Sequence, residues 1–224
     1  MSLFLQAQIM LQSFLSNINI VQGILLITLV YLLVKFRKNA TNFLLIGVLV
    51  LFLLTEIFTR IAVAHDKNYG PIYNISITVH SLLWFRILLV NINKTNLFTF
   101  IAVPYVIFAV VDMFYIESPD HFLIYTFVVG ALIYLALFLR ENMYQLKNEN
   151  FEFISSNENL LLCTPLLLFI TTSAITGFND SELFDITVVG NIPLYKLVNT
   201  FGNIFYYGLI NVYIYRVNKL QYAQ

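Results

Sequence analysis

The chain has a single cysteine, Cys163. That excludes an internal disulfide and any thiolate metal cage. Set in an apolar run beside Thr164 and Pro165, it reads as a packing residue. Charge is scarce and balanced: 12 Lys and Arg face 12 Asp and Glu. Phosphate binding needs a concentrated basic face, so nucleic acid is excluded as a partner. The glycines are scattered and form no phosphate-cradling loop. There is no GxSxG, no GxGD aspartate and no Ser–Lys pair at helical spacing, so no catalytic residue is assigned. His80 stands far from His65 and His121, with no HxxxH or HExxH pair, so neither a metal nor another cofactor is expected. The N-terminus lacks the basic region and small-x-small site of a cleavable signal peptide. Leu3 to Leu15 is apolar but broken by Gln6, Gln8 and Gln12. It reads as an interfacial helix or an outward extension of the first span.

What the chain has instead is apolar length. Hydrophobic residues make up 59% of it and the mean hydropathy is +0.80. Seven stretches are long enough to cross a bilayer: 18–35, 41–64, 71–90, 97–116, 121–139, 160–178 and 194–215. A hydrocarbon core about 30 Å thick needs about 20 helical residues. The expectation is an all-α polytopic membrane protein, a single seven-helix transmembrane bundle over residues 1–224, with the lipid bilayer as its first partner. Pro71 suits a first helical turn, where its missing N–H costs nothing. Pro119 and Pro193 precede spans five and seven. The segment Gln145–Asn159 reads as the longest polar connector, partly helical.

Lysine and arginine set the orientation. Lys35, Arg37 and Lys38 lie in the first connector, Lys94 in the third, Arg140 and Lys147 by the fifth, and Arg216 and Lys219 in the tail. The alternate connectors carry Lys67 with Arg60 nearby, Glu117–Asp120, and Asn179–Glu182. The N-terminus is therefore expected outside and the C-terminus in the cytoplasm.

Ionisable groups inside hydrocarbon cost about 2.5–3.5 kcal/mol each on insertion scales, and they face the bundle interior. Glu56 and Arg60 are four residues apart, on one helix face within ion-pair reach. Asn74 is near the outer end of span three, with His80 near its middle. Asp112 lies about a turn from the outer end of span four. Lys196, Asn199 and Asn203 form a descending stripe with Tyr206 behind it. These residues are the candidate ligand-binding set. All except His80 and Tyr206 map to the outer half, whereas Arg86 and Asn211 represent the inner half. The charges balance, which suits a small polar or zwitterionic ligand. The competing reading is a structural network, because intramembrane Asn, Ser and Thr often join helices and Arg60 and Lys196 can snorkel to headgroups. Lys196 is too near the outer edge to be a retinal lysine.

Glu56, Tyr73-Asn74 and Asn199-Thr-Phe-Gly-Asn203-Ile-Phe-Tyr206 give the chain a layout that resembles small bacterial seven-span proteins of unassigned activity. The resemblance implies a seven-span bundle and no particular chemistry. The Ile, Asn, Lys and Phe bias points to an AT-rich bacterial genome, hence to the bacterial cytoplasmic (inner) membrane. The leading functional expectation is a receptor-like sensory or regulatory protein. An outward-facing polar pocket would signal through a separate protein partner at the cytoplasmic face, contacted by the basic first connector and Gln145–Asn159. A small-solute transporter or channel would need the polar path to continue through His80, Arg86 and Asn211. An intramembrane enzyme acting on lipid would use Glu56, Asp112 and His80 as acid–base groups.

Overall fold

Three helix ends here are made without glycine. In the computed structural model, which describes residues 20–177, 186–189 and 192–222, three helices stop in the same way. Asp66, Asn93 and Glu149 adopt φ of 51°, 56° and 55°, and the next N–H reaches back five residues. Lys67 N donates to Ala62 O, Lys94 N to Leu89 O and Asn150 N to Gln145 O, at 2.8, 2.8 and 2.9 Å. This is the Schellman arrangement; aspartate and asparagine enter the left-handed region at modest cost. At the other ends, Asn39 accepts from Asn42 N at 2.7 Å, and Pro71 sits in the first turn of its helix.

The elements are α1 (Ile20–Val34), α2 (Ala40–Ala64), α3 (Gly70–Asn91), α4 (Leu97–Val111, continued by a π turn over Asp112–Ile116), α5 (Ile124–Lys147), the short α6 (Phe151–Ile154), α7 (Asn157–Gly177) and α8 (Leu194–Tyr222). Two short strands, β1 (Thr187–Val189) and β2 (Ile192–Pro193), pair antiparallel just before α8. Among the described residues, five helices are long and apolar enough to cross a membrane: α2, α3, α4 with its π turn, α5 and α7. Helix α1 is apolar but has 15 described residues. Helix α8 has the length without the apolarity, because its polar stripe dilutes it. Against the expected seven spans, the described residues hold five candidates, and neither α1 nor α8 is one of them. The expected first-span residues 18–19, the segment Leu3–Leu15 and the acidic Asn179–Glu182 lie outside the described residues.

Helices α1, α2, α3, α5, α7 and α8 pack in that order into a closed ring, and α8 returns to α1. Helix α3 is the best covered, touching α2, α4, α5 and α7. Half of its most apolar window is buried, against 22% for α4. Helix α4 leans on α3 and α5 from outside the ring. Its exposed Phe100, Val103, Ile107, Val110 and Phe114 fall at alternating three- and four-residue steps. That is a continuous apolar stripe suited to lipid.

Two of the proposed ligand residues are spent on this architecture. Asn74 Nδ2 donates to Pro119 O and His121 O at 3.0 and 2.8 Å, and its Oδ1 accepts Leu123 N at 3.1 Å. It clamps the α4–α5 connector onto α3. Asp112 is fully buried, and its Oδ2 accepts from Thr126 N at 2.9 Å and Thr126 Oγ1 at 2.6 Å. The first turn of a helix leaves its N–H groups unpaired, and Leu123 has no side chain to cap them. Asp112 supplies that cap from the neighbouring helix. At the far end, Lys94 meets the buried Glu141 at 2.6 Å, an ion pair delivered by the turn at Asn93.

Candidate functional site

A cavity of about 620 Å³ lies inside the ring, in the half of the bundle nearer the Asn68–Gly70 and Asp120–Phe122 connectors. A second hollow of about 600 Å³ adjoins it, sharing Tyr73, Phe122, Thr172 and Asn199, and reaches those connectors. The two together form a passage from one end of the bundle to its middle. By the distribution of basic residues, that end is the one expected to face outward.

The wall from α2 and α1 carries the acidic group. Gln22 Nε2 donates to Glu56 Oε2 at 2.6 Å, and Gln22 Oε1 accepts from Arg60 Nη2 at 2.5 Å. The expected Glu56–Arg60 pair is therefore joined through an amide, whose donor end meets the anion and whose acceptor end meets the cation. Gln22 was not foreseen as a site residue. Its signal was plain enough: it is the one amide in an otherwise apolar α1. Arg60 stays behind Gln22, while Glu56 lines the cavity.

Helix α8 provides the opposite wall. Lys196, Asn199, Thr200 and Asn203 line it at successive turns. Asn203 Nδ2 donates to Asn199 O and Asn199 Oδ1 at 2.8 and 2.9 Å, so the two amides act as one polar strip. The stripe drawn from spacing is present as a continuous surface.

The floor is aromatic. Trp84 Nε1 donates to His80 Nε2 at 3.0 Å and to Tyr206 Oη at 3.1 Å. An indole N–H can only donate, so His80 Nε2 is an acceptor and the neutral ring carries its proton on Nδ1. His80 Nδ1 has no hydrogen-bond partner among the described residues, and His80 lines the cavity. Phe52 packs on the same ring at a centroid distance of 4.7 Å. Tyr206 is fully buried under His80 and is not a wall residue. Trp84, Tyr134 and Ile210 then close the centre of the ring.

Of the nine candidates, Glu56, His80, Lys196, Asn199 and Asn203 line one cavity. Tyr206 supports its floor, Arg60 holds its wall through Gln22, and Asn74 and Asp112 serve the α4–α5 corner. Among the described residues no group of three His, Cys, Asp or Glu side chains could hold a metal ion. No family model, curated protein or solved structure matches the chain.

Proposed function

We propose that this chain is a receptor-like sensory or regulatory protein of the bacterial inner membrane, with seven spans and the N-terminus outside. Its ligand enters the cavity from the outer face. The observation that carries this reading is that, among the described residues, the cavity's lining reaches His80 and no deeper, with the buried Trp84 and Tyr206 bonded beneath it. In the other direction it continues into the adjoining hollow. A channel needs a path on the other side. There, Asn211 is tied to Thr28 Oγ1 at 2.7 Å and Arg86 points to Thr95 O and Phe98.

A sensor also needs a route to the far end, and α8 offers one. The helix whose Lys196, Asn199 and Asn203 line the cavity accepts Arg37 Nη2 at Val217 O, at 2.5 Å. Arg37 belongs to the basic first connector. A ligand that favours one packing of α8 over another would change that contact, which a cytoplasmic partner can read.

Single cysteines in a Cys163→Ala background, at positions 199, 203 and 211, test the reading with a membrane-impermeant thiol reagent. Labelling of 199 and 203 from outside only, with 211 protected, is the expected result. Labelling of 211 from outside, or alternation between sides, would replace the sensor by a transporter. Protection of all three would remove the cavity as a ligand site.

A further inference from the structure

The cavity wall is specific about the kind of charge it can hold. Besides Glu56 its lining carries five aromatic rings, those of Phe52, Tyr73, Phe122, Phe127 and Tyr207. Gln22 already donates to one oxygen of the carboxylate, Oε2, and Thr55 Oγ1 and Ser76 Oγ are bonded to each other at 2.6 Å. A primary ammonium brings three N–H donors that all need acceptors once water is removed. A quaternary ammonium brings none, and it gains from aromatic rings and one counter-charge. Lys196, Asn199 and Asn203 on the α8 wall supply cationic and amide donors for an anionic group.

We propose that the cavity takes a small betaine-type zwitterion, its alkylated ammonium lodged among the aromatic rings against Glu56 and its anionic group held by Lys196 and the Asn199–Asn203 strip. The proposal rests on the cavity being a ligand site, as above, and adds the class of ligand. The same chemistry is carried by a free betaine and by a phosphocholine lipid headgroup.

Trp84 is the only tryptophan of the chain and lies against His80 in the cavity floor, so its fluorescence reports occupancy without a label. The full-length protein in phosphatidylglycerol nanodiscs is titrated with glycine betaine, glycine and acetate. Glycine betaine is expected to give a saturable change, glycine to bind about tenfold more weakly or worse, and acetate to give no change. Glu56→Gln and Phe52→Leu should each weaken betaine binding by about tenfold, and Lys196→Met by less. A melting curve confirms that each variant is folded, and Glu56→Asp, which keeps the charge, should restore part of the affinity. Glycine binding as tightly as glycine betaine overturns the aromatic-cage assignment. So does the failure of every zwitterion to bind while cysteines at 199 and 203 label from outside, a result that leaves the cavity itself intact. Repeating the betaine titration in phosphatidylcholine nanodiscs assigns the source: competition supports the headgroup, and unchanged affinity supports the free solute.

Discussion

The two halves of this bundle use the same helices and treat polar groups differently. In the far half they are spent on ties. Asn211 joins α8 to Thr28 of α1 at 2.7 Å, Asn91 joins α3 to Thr41 of α2 at 3.2 Å, and Tyr134 Oη donates to Leu162 O of α7 at 2.8 Å. The cavity half has ties as well, among them Gln22 to Glu56 and Asn74 to the α4–α5 connector, but there Glu56, Lys196, Asn199 and Asn203 also line a cavity. A polar residue inside a membrane is thus not informative by its depth alone. What separates glue from site is whether the group still borders a cavity once its bonds to other helices are made.

The boundary between the halves is Trp84, and removing it is the strongest way to break the contrast. Trp84 is fully buried and holds both His80 and Tyr206. Trp84→Ala should cost about 3–5 kcal/mol in thermal or denaturant unfolding. It should also let an impermeant reagent reach a cysteine at 211 from the cavity side. A destabilised variant with 211 still protected would place the floor elsewhere.

Next in size is the contact that sets the cavity wall. A Cβ on Gly202 of α8 would lie 2.5 Å from Thr171 Oγ1 and 2.8 Å from Thr171 Cβ on α7. Rotating the threonine cannot relieve a clash with its own Cβ. Gly202→Ala should therefore push α8 from α7 at a cost of about 1–3 kcal/mol. Because Asn199 and Asn203 flank this glycine, ligand affinity should fall with it, and Gly202→Ala with Thr171→Ser should recover less than Gly202→Ala with Thr171→Gly.

The helices were the legible part of this chain. Hydropathy set α2, α3 and the start of α8 within a residue: 41–64 against Ala40–Ala64, 71–90 against Gly70–Asn91, and 194 against Leu194. It closed α5 too early, at 139. Arg140 to Lys147 is polar, yet its backbone stays helical, since hydropathy marks the lipid and not the end of the hydrogen-bond ladder. The π turn at Asp112 was invisible, and so was the bond its first residue accepts from Thr126 on another helix. For the site, the α8 stripe could be drawn because it follows from one helix's periodicity. Gln22, Phe52 and Tyr207 could not, because they join the cavity only once α1, α2 and α8 are neighbours. Asn74 looked like Asn199 in sequence. Only the α4–α5 connector, packed over it, turns it into a clamp.

A smaller substitution pair sharpens the contrast between ties and open groups. Asn211→Leu removes a bond between helices and should cost about 0.6 kcal/mol, the mean for such bonds in membranes. Asn203→Leu removes bonds to Asn199 one turn back on the same helix and should leave unfolding nearly unchanged while weakening the ligand. Equal losses of stability would mean that both asparagines are structural.

The smallest effect separates the two carboxylates of the α4–α5 corner. Asp112 is sealed within it, whereas Glu117 stands just beyond the membrane-spanning stretch, its Oε2 accepting Tyr125 N at 3.2 Å. Partial burial, followed by the neighbouring Asp112 charge, raises the Glu117 carboxyl above its ordinary 4.5, against the opposing N–H groups of Tyr125 and Ile124. A carboxyl raised on folding holds its proton more tightly in the native state. Its contribution to stability is therefore complete below pH 4.5 and is lost as pH rises through the raised folded value. Melting curves from pH 4 upward should show a shallow decline from this group that Glu117→Gln abolishes, while the variant's melting point at neutral pH stays at or above that of the parent. A decline of the same slope in both proteins would assign the titration to another carboxyl and leave Glu117 as a plain cap for Tyr125.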